Sequence, residues 1–192
     1  TKAISGAADT ASKIYNIRGM NVRDKDLDEA KRVFFSEVSN RGPKKQDFES
    51  DIILNVSLNR LADDKSGKKT LTDILQQPYQ FQGYAPHGIT RPGGEIVPSQ
   101  YQRISSGTPL TAGEQQKLDT ITKALERFKN GQFTDITKGA KFYVHASDGT
   151  IWLGATLKEA KTNAATHEAK MKIRRTQWGT QAGLPAGDFT QD

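Results

Sequence analysis

Apolar residues return at helical spacing in several stretches of this chain and alternate like strand residues in one. In DKDLDEAKRVFFSEVSNRG (24–42), Leu27, Ala30, Val33, Phe34 and Val38 fall on one stripe. Acidic residues crowd its start and Gly42-Pro43 ends it, which predicts a helix. QDFESDIILNVSLNRLA (46–62) predicts a second, with Phe48, Ile52, Val56 and Leu61 inward, and TLTDILQQP (70–78) a short third, capped by Thr70 or Thr72. In TAGEQQKLDTITKALERFKNG (111–131), Thr111 and Glu114 have capping-box spacing, and Leu118, Ile121, Leu125 and Phe128 form a stripe closed by Asn130-Gly131. KFYVHASDGTIWLGA (141–155) alternates like two short strands around an Asp148-Gly149 turn. A basic last helix is predicted from Thr156, where Glu159 repeats the capping-box spacing, toward Arg175.

Glycines and prolines crowd residues 82–110, and so long a loop in a compact domain is either functional or disordered. Residues 1–22 read as an N-terminal arm or linker, 23–175 as one domain and 176–192 as a C-terminal tail. The expected class is α+β, mostly α-helical, with a small antiparallel β-hairpin.

Composition narrows the function classes. A chain of 192 residues is long enough for one well-packed domain, and 34% hydrophobic residues leave a modest core among polar loops. No apolar run approaches the roughly 18 residues of a membrane span. The chain begins with Thr1 and shows no signal peptide, which suits a processed product or a fragment. With no cysteine there are no disulfides, thiol catalysis or zinc–cysteine sites. Lys and Arg number 28 against 22 Asp and Glu, a net charge of +6. A basic surface of this kind suits a polyanion such as nucleic acid, an acidic membrane face or a bacterial wall polymer.

One residue interrupts the first apolar stripe. Counting from Leu27, positions 30, 34 and 37 share a face, so Glu37 points inward, in the last turns before Gly42. Partial burial and the negative end of the helix dipole both disfavour its anion, burial the more strongly. A carboxylic acid kept protonated is what general-acid catalysis requires. On this helix alone the favoured reading is the ordinary one, in which Glu37 pairs with a nearby Lys or Arg or lies at the wet edge of the stripe. Periodicity does not decide between the two.

Four segments in order carry a resemblance: FFSEVSNRG (34–42), DIILNVSLNRLAD (51–63), TLTDILQQPYQFQGY (70–84) and DITKGAKFYVHASDGTIW (135–152). The series resembles the SleB-like cell-wall hydrolases, the spore-cortex-lytic enzymes also found in bacteriophages. The matching positions are Glu37, Gly42, Leu58-Asn59-Arg60, Gln77, Gln80-Phe81, Asp135, Thr137, Gly139-Ala140, Phe142-Tyr143 and Trp152. The loop between Phe81 and Thr111 is long for the family. Its closing Gly-x-His-x-Phe is not clearly present, His167 being the nearest candidate. The resemblance implies a lysozyme-like fold that cleaves the β-1,4 bond between N-acetylmuramic acid and N-acetylglucosamine, with Glu37 as the catalytic acid.

Glycosidases usually pair two carboxylates. The options for a second are Glu49, Asp51, Asp73 and Asp135, and none stands out: Glu49 and Asp51 read as solvated, Asp73 as a first-turn residue, Asp135 as a turn cap. A single-acid route removes the need, and the resemblance favours it: lytic transglycosylation through Glu37, ahead of hydrolysis by a muramidase. Gln80 and Tyr143 are candidates for orienting the N-acetyl groups or the sugar ring. Phe81 and Trp152 are candidates for stacking on sugars, against the ordinary reading that aromatics are core.

The rival of another class is a non-catalytic basic protein holding nucleic acid or wall, for which the C-terminal lysines and arginines would serve. No nucleic-acid-binding signature appears. His87, His145 and His167 form no metal-ligand motif, and no Gly-x-Ser-x-Gly elbow is present. No cofactor, metal or nucleic acid is expected. The expected partner is the peptidoglycan glycan strand, with other phage structural proteins beside it. A phage endolysin or virion-associated module is the favoured setting, and a bacterial periplasmic or extracellular enzyme trimmed of its leader the alternative.

Overall fold

The computed structural model describes residues 13–78, 80–133, 135, 137–145, 151–166 and 172–173. The architecture is mixed: helices carry close to half of these residues, and short antiparallel strand pairs flank them.

The chain enters through a hairpin, β1 (Ile14–Ile17) and β2 (Met20–Arg23), turned by Arg18 and Gly19, both at positive φ. The expectation of an arm over residues 1–22 is corrected in part: residues 14–22 belong instead to this hairpin, and residues 1–12 lie outside the described residues. The hairpin buries Ile17 and Val22 in the main core, a pattern too short to register as periodic. Helix α1 (Asp24–Glu37) follows directly, its first turn closed by Asp26, which accepts from the Arg23 backbone N–H at 2.9 Å. Helix α2 (Pro43–Ala62) begins earlier than expected, because Pro43 occupies the first helical turn, where a missing N–H costs nothing.

Helix α2 is the centre of the molecule. Its Ile53, Leu54 and Leu58 join α1 and the hairpin in the main core, while Phe48, Ile52 and Val56 join Ala140, Ile151 and Leu153 in a second cluster. A helix apolar on both sides has to be sandwiched. Short α3 (Leu71–Leu75) is capped by Thr70, the first of the two expected caps. The glycine- and proline-rich segment carries a two-residue pair, β3 (Ile89–Thr90) with β4 (Ile96–Val97), and a single-turn helix α4 (Gln100–Ser105) that packs on α1. Helix α5 (Ala112–Lys129) has the expected capping box at Thr111 and Glu114 and lies against α1 and α2.

Strands β5 (Phe142–His145) and β6 (Ile151–Gly154) pair antiparallel, with Tyr143 opposite Leu153 and Val144 opposite Trp152. Their expected turn, Asp148-Gly149, lies outside the described residues. The last helix, α6 (Leu157–Thr166), does not run to Arg175: residues 172–173 form β7 (Lys172–Ile173) on the far edge of β6. The free edge of β6 offers backbone pairing that helical spacing alone cannot reveal. The C-terminal tail and His167 lie outside the described residues. Among the described residues, no helix is long and apolar enough to cross a membrane.

Candidate functional site

Glu37 is the last residue of α1 and is half-buried. The helix stops there because Val38 turns extended after donating to the Phe34 carbonyl at 2.8 Å. Ser39 then donates through its N–H and its hydroxyl to Glu49 of α2, at 2.6 and 2.9 Å. Glu49 is fully buried, contrary to the solvated position expected for it, and it ties the end of α1 to the central helix. Asp51, expected to be solvated as well, is also buried. A helix of this composition gives no hint of such burial, because what covers its polar face arrives from elsewhere in the chain.

Two donors from distant segments converge on the Glu37 carboxylate. The Gly83 N–H donates to Oε1, and the Tyr143 hydroxyl donates to Oε2 at 2.8 Å. Gly83 is there because nothing larger fits: a Cβ would stand 2.5 Å from the Val33 carbonyl and 2.7 Å from Glu37 Cγ. Burial pushes the Tyr143 phenol well above its ordinary value, and the charge and hydrogen bond of Glu37 push it further. The phenol therefore remains a donor across the neutral range.

Arg60, in the last turn of α2, completes the wall. Its guanidinium carbon lies 4.8 Å from the Phe81 ring centre and 4.4 Å from that of Phe142, and its Nε donates to the Lys141 carbonyl. Burial lowers its pKa, opposed by the nearby Tyr143 and Glu37. Beside it opens a groove of about 450 Å³, lined by Arg60, Gln77, Gln80 and Phe142 among others. Glu37, Gly83 and Tyr143 are not among the groove's lining residues; the link between groove and carboxylate is Arg60, which lines the groove and feels the charges of Tyr143 and Glu37.

The expected site residues thus divide. Glu37 and Tyr143 meet, and Gln80 is a half-buried groove residue whose N–H closes a turn on Gln77. Phe81 and Trp152 do not present stacking faces: they are 3% and 2% exposed. Phe81 is committed to the main core and to Arg60. Trp152, opposite Val144, lies on the sheet face away from Tyr143 and Leu153. The His145 side chain lies outside the described residues.

Other positions of the resembling motifs are joined by scaffold bonds. The Asn59 amide donates to Thr137 Oγ1 and to the Ala140 carbonyl, each at 2.8 Å, and Arg18 pairs with Asp135 at 3.0 Å. Asp135 also accepts from the Thr137 N–H, and Asp73 caps α3 through the Thr70 N–H and hydroxyl. Sequence reasoning missed Gly83 and Arg60 as neighbours of Glu37. The only available signals were a glycine two residues past Phe81 and the Asn-Arg pair itself. Among the described residues, no group of three or more His, Asp or Glu could hold a metal ion.

No family model, curated protein or solved structure matches the chain.

Proposed function

We propose that the protein is a lysozyme-like peptidoglycan-cleaving enzyme, with Glu37 as its single catalytic acid and a lytic transglycosylase outcome. The observation that carries this reading is a half-buried carboxylate held by two donors from distant segments, near an arginine that also lines an open groove. The resemblance of its flanking segments to the SleB-like hydrolases supports it.

Glu37 would protonate the glycosidic oxygen as the bond between the muramoyl anomeric carbon and that oxygen breaks. The Gly83 N–H and the Tyr143 hydroxyl would stabilise the carboxylate left behind, without reorganising at that moment. The same carboxylate would then take the proton from the muramoyl C6 hydroxyl, whose oxygen attacks the anomeric carbon and closes a 1,6-anhydro ring. One carboxylate gives and recovers one proton, so the cycle balances. Three of the four other acidic candidates have structural commitments: Glu49 to Ser39, Asp73 to the α3 cap and Asp135 to Arg18 and Thr137. A net charge of +6 would favour residence on an anionic wall, and a phage lysis or virion-associated role fits that target.

The test is digestion of purified peptidoglycan by the wild-type protein and by Glu37→Gln, with products read by mass spectrometry. Release of 1,6-anhydromuropeptides by the wild type alone is the expected result. Reducing-end products from the wild type alone would make it a hydrolytic muramidase. A variant that cuts equally well would remove Glu37 as the acid, and a wild type that cuts nothing would leave the basic structural protein as the reading.

A further inference from the structure

Arg60 Nη1 is buried and has no hydrogen-bond acceptor among the described residues. Leaving such a donor unmet is costly, and more so when it is charged. Its fork is nonetheless held in place, by the two phenyl rings and by the Lys141 carbonyl. The groove it lines contains acidic residues, but these are already engaged. Asp63 pairs with Lys141, and Asp64 accepts from the Ser66 hydroxyl at 2.7 Å and from the Lys69 N–H at 2.9 Å. Lys65 and Lys69 also line the groove and have no ion-pair partner among the described residues. Four cationic side chains, Arg60, Lys65, Lys69 and Lys141, line the groove against two carboxylates, Asp63 and Asp64, so its lining is net positive.

We infer that this groove is an anion subsite, in which Arg60, Lys65 and Lys69 take a carboxylate of the peptide carried by the glycan strand. The inference rests on the peptidoglycan reading for its choice of ligand. A carboxylate meets the net positive charge of the lining, and the flexible lysines at the rim draw it in from solvent. Arg60 is the link between this subsite and Glu37, because it lines the groove and feels the Glu37 charge. The subsite then holds the sugar that bears the peptide against the acid.

Binding is measured by calorimetry on Glu37→Gln, with two soluble peptidoglycan tetrasaccharides. One carries stem peptides with free carboxylates, and the other the same peptides with every carboxyl converted to an amide. The free acid is expected to bind roughly ten-fold more tightly or better, a preference that shrinks as salt rises. The double substitution Lys65→Glu with Lys69→Glu lies on the exposed rim and is expected to erase the preference. Arg60→Lys keeps the charge but loses the fork, and is expected to weaken binding of the free acid, with thermal unfolding as the check on its fold. Equal binding of the two ligands, no binding of either, or an undiminished preference in the double variant would overturn the subsite. If the preference holds while the wild type cuts nothing, the subsite stands and the catalytic reading falls. If cleavage occurs with no preference, the reverse is true.

Discussion

Glu37 is one carboxylate with two donors, and each donor has its own test. Tyr143→Phe removes the hydroxyl and keeps the ring. Under the proposed function, cleavage of peptidoglycan is expected to fall roughly ten- to a hundred-fold. Thermal unfolding should show a loss of only about 1 kcal/mol, the worth of one hydrogen bond. In Gly83→Ala the new methyl would collide with the Val33 carbonyl and Glu37 Cγ, so the loop must move away and take its N–H with it. Loss of cleavage together with roughly 1–3 kcal/mol of stability is expected in the same two assays. The place of Glu37 on an apolar stripe was legible in the sequence, whereas the acid role proposed for it came from the resemblance and not from the stripe. Its partners were not: Gly83 stands 46 residues further on and Tyr143 106, and no local period connects such positions.

At the scale of elements, the site depends on how α2 is fastened to the segment before β5. Asn59 makes that joint. Its amide bridges Thr137 and the Ala140 carbonyl, and its oxygen accepts from Arg18 at 2.6 Å. Asn59→Ala leaves all three buried or half-buried partners short of a bond, so a loss of about 2–3 kcal/mol is expected in chemical denaturation. Because Tyr143 follows this joint by a few residues, cleavage is expected to fall as well, even though Asn59 does not touch Glu37. The helices of this scaffold were readable where caps and stripes agree, as at Thr111 and Glu114 in α5. Elements of two to six residues, such as β3, β4 and α4, were not, because their backbone pairing and tertiary packing decide them rather than side-chain period.

For the whole molecule, the acid limb of stability gives a separate test. Asp26 is fully buried where the entry hairpin, α1 and α3 meet. Burial raises its pKa, but hydrogen bonds from Arg23 and Thr72 outweigh that and lower it from 3.8 to about 2. A folded pKa below the unfolded one means that the carboxylate's contribution is complete above about pH 4 and disappears as pH falls toward 2. On the order of 1–2 kcal/mol should be lost across that window. Asp26→Asn is expected to flatten this part of a denaturation profile measured against pH. What the sequence determined by itself is local: helix starts from their caps, helix faces from their period, the β5–β6 pair from alternation, and a glutamate set among apolar residues. Tertiary structure alone decided which segments close on that glutamate, that Glu49 is buried and that Phe81 and Trp152 face the core. The physical reason is that local structure follows from neighbours in the chain. Burial and hydrogen-bond partners follow from neighbours in space, which exist only once α2 has been enclosed from both sides.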